Sequence, residues 1–178
     1  MAELSESDQT YSGFFYGTLM EPQVFYSVCY NDRSPPKEIK AMHTFAPAVL
    51  HGYCRRRVRG ADYPGMVADA DHCVFGMVVT GLTTANLAKL DYFEGSQYDR
   101  RPVQPNLLTT VGNEKGEGNV EGEQVDTHSY IFLAKDDLEP REWDFAEFKR
   151  DKLQSWTRAG YVFEDCEPGN VASVSAAV

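Results

Sequence analysis

The sequence predicts a mixed, largely antiparallel α+β domain. Three observations point there. Apolar runs of strand length recur along the chain, notably within Phe45 to Val58, His72 to Thr80 and Thr127 to Ala134. Helical patterns are few: one after Pro22, one from Thr84 and one after Pro140. The order is then strand, helix, several strands, helix, strands, helix, which lacks the regular βα alternation of a doubly wound fold. With 178 residues and a 42% hydrophobic share, the chain is long enough for one ordinary core. Residues 1–178 are therefore expected to form a single domain, with 1–12 and 168–178 as loose tails.

The elements are justified in order. Gly13 to Tyr16 is a short aromatic strand ending at Gly17. A helix begins near Pro22, because proline suits a first turn, carries Val24, Phe25 and Val28 inward, and stops around Asn31. Paired prolines make N-D-R-S-P-P-K a loop. Phe45 to Val58 is a long strand, and Gly60 to Gly65 a turn. Met66 to Ala68 pairs briefly, and His72 to Thr80 is a buried strand. Thr83 caps a helix over Thr84 to Phe93. Arg101 to Val111 is a strand whose Pro102 and Pro105 suggest an edge or bulge. The glycine-rich, acidic stretch Asn113 to Gln124 is an exposed hairpin tip, and Thr127 to Ala134 returns as a core strand. In the helix after Pro140, Phe145, Phe148 and Trp156 share an arc, with Leu153 at its edge and Trp143 outside.

Composition narrows the partners. Asp and Glu number 27 against 17 Lys and Arg, a formal charge of −10. Such a surface repels phosphate backbones and anionic lipid, so neither nucleic acid nor membrane is an expected partner. No apolar run approaches the roughly 20 residues of a membrane helix. The N-terminus is acidic and has no apolar core of a signal peptide. Cys29, Cys54, Cys73 and Cys166 form no C-x-x-C pair and read as reduced thiols of a cytoplasmic protein. His43, His51, His72 and His128 show no ligand spacing, so no metal is expected and they are taken as structural.

The chemistry concentrates in L-D-Y-F-E-G-S-Q-Y-D-R, Leu90 to Arg100. At 100° per residue Leu87, Leu90 and Glu94 share one helix face, so the inward stripe ends in a carboxylate. Gly95 follows as a helix stop. A carboxylate on an apolar stripe near the negative end of a helix dipole has its pKa pushed up, as a general base working near neutral pH requires. Tyr92, Phe93 and Tyr98 supply an apolar wall and a phenolic donor. The competing reading is a partly exposed residue at a helix end, or one salt-bridged to Arg100 or Arg101.

Y-G-T-L, Tyr16 to Leu19, is the second element. A strand ending in glycine before a helix leaves backbone N–H groups pointing outward, suited to a carboxylate or oxyanion. The alternative is a tight turn in which glycine only relieves a clash. No phosphate-binding loop and no G-x-S-x-G setting for Ser12 or Thr18 is present. Arg55, Arg57 and Arg59 share one strand face, with Arg56 on the other. One of them is able to receive a substrate carboxylate, and a solvated strand end is the alternative.

The two segments together resemble the gamma-glutamylcyclotransferase-like superfamily, especially its avirulence-induced-gene branch of plants and fungi. The family's Y-G-[ST]-L matches Tyr16 to Leu19, and its L-D-x-[FY]-E-G-x-x-Y-x-R matches Leu90 to Arg100. The resemblance covers residues 13 to about 135. It implies a small mixed, largely antiparallel β-barrel flanked by a few helices, with one pocket at the glycine turn and no cofactor. It also implies cyclisation of a small γ-glutamyl amide or dipeptide to 5-oxoproline with release of an amine. Glu94 would be general acid/base, Gly17, Thr18 and Leu19 would hold the α-carboxylate, and Tyr16 and Tyr98 would wall the pocket or donate to the amide oxygen. The Asn113 to Gln124 loop, the arginine cluster and a Pro64-Gly65-Met66 turn depart from the simplest members. Two rivals stand beside this reading. One is another acyl-transfer or lyase activity on a γ-glutamylated small molecule. The other is a non-catalytic module for a small carboxylate or a protein, with the acidic loop and an exposed Trp143 as contacts.

Overall fold

The structure, a computed structural model, describes residues 9–151. Its spine is one long antiparallel hairpin, β2 (Phe45–Val58) against β3 (Pro64–Leu82). The pairing runs from Phe45↔Val79 to His51↔Cys73, breaks, and resumes at Tyr53↔Ala68. Over the break β2 advances two residues while β3 advances five, so the polar stretch Asp69 to His72 bows out to solvent. The two short apolar runs expected around 66–68 and 72–80 are thus one strand with a polar excursion. Pro64 to Met66 lie within it rather than in a turn.

β1 (Tyr11–Phe15) pairs with β3, β5 (Asn106–Thr110) with β2, and β6 (Val120–Gln124) with β5. β8 (Leu138–Glu142) joins β2 near Arg56 and Val58. β4 (Tyr98–Val103) and β7 (Thr127–Phe132) make a separate two-stranded sheet. The fold is α+β and antiparallel, but the expected barrel is not closed. Where β7 faces β1, side chains bridge the gap in place of a backbone ladder. Ser129 donates to Phe14 O at 2.7 Å, Tyr16 to Tyr130 O at 2.6 Å, and Ser12 and Thr127 share a hydroxyl pair at 2.7 Å.

Helices α1 to α3 cover this frame. α1 (Pro22–Tyr30) starts on proline, buries Val24, Phe25 and Val28, and ends on Asn31 at φ 54°. α2 (Lys37–Lys40) was not expected: the proline pair that bars a helix interior also suits a helix start, and Pro36 is its N-cap. α3 (Thr84–Glu94) carries a full capping box, Asn86 N–H to Thr83 Oγ1 at 3.1 Å and Thr83 N–H to Asn86 Oδ1 at 3.0 Å. α1 packs against α3. Between them Tyr30 bridges His43 Nε2 at 2.5 Å and Asn86 Oδ1 at 3.3 Å.

Several elements differ from those the sequence pattern predicts. Tyr11 and Ser12 belong to a strand rather than a loose tail. The stretch 101–111 is two strands in two sheets, divided at Pro105, which has no N–H for a ladder. The last five residues of the acidic loop, Val120–Gln124, are β6. Pro140 lies in β8, and α4 (Phe145–Asp151) begins five residues later. Trp143 is only 4% exposed: its Nε1–H donates to Asp62 O at 2.8 Å and its ring packs on Phe148. It is therefore no surface contact point. Leu153, Trp156, Cys166 and 168–178 lie outside the described residues.

Candidate active site

Glu94 closes the inward stripe of α3. Leu87, Leu90, Phe93 and Glu94 are all buried, and Glu94 is 1% exposed. Gly95, at φ 73°, ends the helix, a backbone turn that L side chains rarely adopt. Neither Glu94 carboxylate oxygen has a hydrogen-bond partner among the described residues. The neighbouring charges explain why. Asp91 Oδ1 takes both the Tyr130 hydroxyl at 2.6 Å and Arg100 Nε at 3.1 Å, and Arg101 Nε pairs with Asp99 at 2.8 Å. The arginines that could have neutralised Glu94 are held elsewhere, so the partly exposed or salt-bridged reading does not describe this residue.

Burial, and next the Asp91 carboxylate, push the Glu94 carboxyl well above its ordinary value. Three phenols respond to it. Tyr16 is raised by burial and then by Glu94. Tyr98 is raised by burial, then by Tyr16 and Glu94. Tyr130 is raised by burial, then by its bond to Asp91 and by Glu94. The Tyr16 hydroxyl donates to Tyr130 O and the Tyr98 hydroxyl to Pro64 O at 2.8 Å. Both hydroxyls are therefore engaged as donors.

A stability consequence follows. The folded pKa of Glu94 lies above its unfolded value of about 4.3. Its contribution is fully present below that value and is lost as pH rises toward the folded pKa. The melting temperature of Glu94→Gln minus that of the wild type should therefore grow from pH 4 to pH 8. Parallel melting curves over that range would show Glu94 to be unperturbed.

Y-G-T-L leaves β1 and turns into a single 3₁₀ turn, Thr18–Met20. Met20 donates to Gly17 O at 3.0 Å and Glu21 to Thr18 O at 3.1 Å. The N–H groups at Thr18 and Leu19 precede the first bond of that turn. All four residues are buried, so these groups lie inside the molecule rather than pointing outward. Tyr130 links the two sequence segments: its carbonyl accepts from the Tyr16 hydroxyl, and its own hydroxyl donates to Asp91 of α3.

Sequence reasoning undervalued three residues. Arg55 is not a solvated strand end, with a side chain only 9% exposed, and it donates to Tyr16 O at 2.7 Å. Of its neighbours, the Arg57 side chain is 32% exposed and Arg59 is exposed, so the run itself carried no sign of the difference. Asp91 and Tyr130 escaped notice because their pairing joins residues 39 apart in the chain. Arg55 also lines a cavity of about 910 Å³ with Phe75, Glu142, Trp143 and the 111–119 hairpin tip; Glu94 is not in its wall. Among the described residues no group of three His, Cys, Asp or Glu is placed to hold a metal ion, and no helix is long and apolar enough to cross a membrane.

The chain is similar to known proteins. A solution structure from Arabidopsis thaliana is 31% identical, covers 83% of this chain and 78% of its own, and superposes with a TM-score of 0.54. A structure described as a gamma-glutamyl cyclotransferase is 15% identical with a TM-score of 0.52 over 94% of each chain, a likeness of fold alone. Among curated proteins, Protein AIG2 C of Arabidopsis thaliana is 33% identical over 82% of this chain and 76% of its own length. The family model described as gamma-glutamyl cyclotransferase, AIG2-like, matches residues 13–147, and the chain belongs to that family.

Proposed function

We propose that the protein cyclises a small γ-glutamyl amide or dipeptide to 5-oxoproline and releases an amine, with Glu94 as general acid/base. The observation that carries this reading is the buried Glu94 carboxyl, without a partner among the described residues and with its pKa raised well above the ordinary carboxylate value by burial and Asp91. A structural carboxylate is normally paired when buried, whereas a proton carrier needs a free lone pair.

In this mechanism the substrate's α-ammonium first yields a proton to the Glu94 carboxylate. The freed amine attacks the side-chain amide carbon, and an N–C bond closes the five-membered ring. The tetrahedral intermediate then collapses. Glu94 gives its proton to the departing nitrogen as that C–N bond breaks, then takes the second proton from the ring nitrogen and passes it to the released amine, so the products are a neutral lactam N–H and an ammonium. Backbone N–H groups of Gly17, Thr18 and Leu19 hold the α-carboxylate, so the amine is aimed before reaction. Tyr16 and Tyr98 wall the ring that forms. The chemistry of these steps calls for no cofactor.

The test is a panel of γ-glutamyl dipeptides and γ-glutamyl amines, assayed for 5-oxoproline with wild type and Glu94→Gln. Product from the wild type alone supports the reading. Equal product from both removes Glu94 from the chemistry. No product from either favours the non-catalytic binding module.

A further inference from the structure

Arg55 is a buried cation that the proposed reaction does not use. It rises from β2 beneath the end of β1. Nη1 donates to Tyr16 O at 2.7 Å and to Phe75 O at 3.2 Å. Nη2 lies 3.5 Å from Glu142 Oε1, and the guanidinium sits 5.4 Å from the centre of the Trp143 ring. Trp143 is fixed in turn by its backbone N–H to Arg55 O at 3.4 Å and its indole to Asp62 O. Nε, also buried, has no hydrogen-bond partner among the described residues. Removing a guanidinium from water is costly, and here its shortest bond goes to a single main-chain carbonyl, that of Tyr16.

That carbonyl belongs to the Tyr16–Gly17 peptide. Among the described residues no peptide bond is cis, so the Tyr16 C=O and the Gly17 N–H point in opposite directions in one plane. A guanidinium on the oxygen therefore does two things to the N–H. It fixes the plane, which aims the N–H away from Arg55. It also draws electron density toward the oxygen, which makes the N–H a stronger donor. A lysine is a single point charge and cannot bracket two carbonyls, pair with Glu142 and stack on Trp143 together.

We propose that Arg55 is a positioning residue, which sets the Gly17 N–H as a donor for the substrate's α-carboxylate by holding the Tyr16 carbonyl. The proposal rests on the cyclotransferase reading above. It makes Arg55 a determinant of specificity for a free α-carboxylate, although the arginine itself touches no substrate.

The experiment compares a γ-glutamyl amide that the wild type turns over with the same compound bearing an α-carboxamide. The readout is the ratio of the two kcat/KM values, which does not depend on the fraction of active enzyme. The wild type should favour the carboxylate strongly. Arg55→Met should lower that preference by about tenfold or more, the factor one charge-assisted hydrogen bond carries, and mainly through KM. Arg55→Lys should fall between them, and the acid limb of the pH profile, which belongs to Glu94, should stay in place. An unchanged ratio in both variants, with an active wild type, overturns the positioning role and leaves the cyclotransferase reading standing. A wild type that makes no 5-oxoproline overturns that reading, and the role of Arg55 falls with it.

Discussion

Glu94→Gln is expected to reduce the kcat for 5-oxoproline formation by about 10²- to 10⁴-fold, the usual span of general acid–base catalysis. Glutamine keeps the shape of the side chain and leaves the apolar stripe of Leu87, Leu90 and Phe93 intact. KM should therefore move little, because the lost interaction is a proton transfer rather than a binding contact. The pH dependence gives a second handle. A base must be ionised, so kcat/KM of the wild type should fall as pH drops through the Glu94 pKa. Burial and Asp91 place that limb above the ordinary carboxylate range. Asp91→Asn would remove the nearby charge and should move the limb toward lower pH. A limb at the ordinary glutamate value, or a kcat unchanged in Glu94→Gln, would remove this residue from the chemistry.

What made Glu94 legible in the sequence was local. Helical phase, an N-cap at Thr83 and a stop at Gly95 are all written within a dozen residues, and the structure has each of them. The β2 strand was legible for the same reason: Phe45 and Val58 are its two ends, as its apolar pattern indicates. What escaped depends on residues far apart. Arg55 reads like its neighbours until β1 and Trp143 close over it. Trp143 looked like the wrong face of a helix because its helix begins at Phe145, and the corner before it folds back onto Asp62. The open barrel has the same origin, since whether β1 and β7 share a ladder or side-chain bridges is decided by their spacing in space.

Gly81→Ala shows how such a distant contact controls the site, and it is expected to cost about 2–5 kcal/mol of stability. Gly81 lies near the end of β3, at φ 75°. An alanine there carries roughly 1–2 kcal/mol of left-handed backbone strain. Its Cβ would also run into the carbonyl oxygen of Met42, which adds about 1–3 kcal/mol of overpacking. That carbonyl has little room to retreat. The next residues are tied to Thr80: His43 Nδ1 bonds Thr80 O at 3.1 Å, Thr80 N–H donates to Thr44 O at 3.1 Å, and the two threonine hydroxyls are paired. The strain must therefore pass forward, into Leu82 and the Thr83 cap of α3, whose last residue is Glu94. Gly60→Ala is the control, because Gly60 has φ 73° but nothing within 4 Å of an added Cβ. It should lose only the backbone strain. Thermal melts of the two variants separate the terms: Gly81→Ala should melt well below Gly60→Ala, and its residual folded enzyme should turn over more slowly. Equal melting temperatures would mean that the Met42 carbonyl moves aside at no cost, and that the hand-over from β3 to α3 is not what holds Glu94 in place.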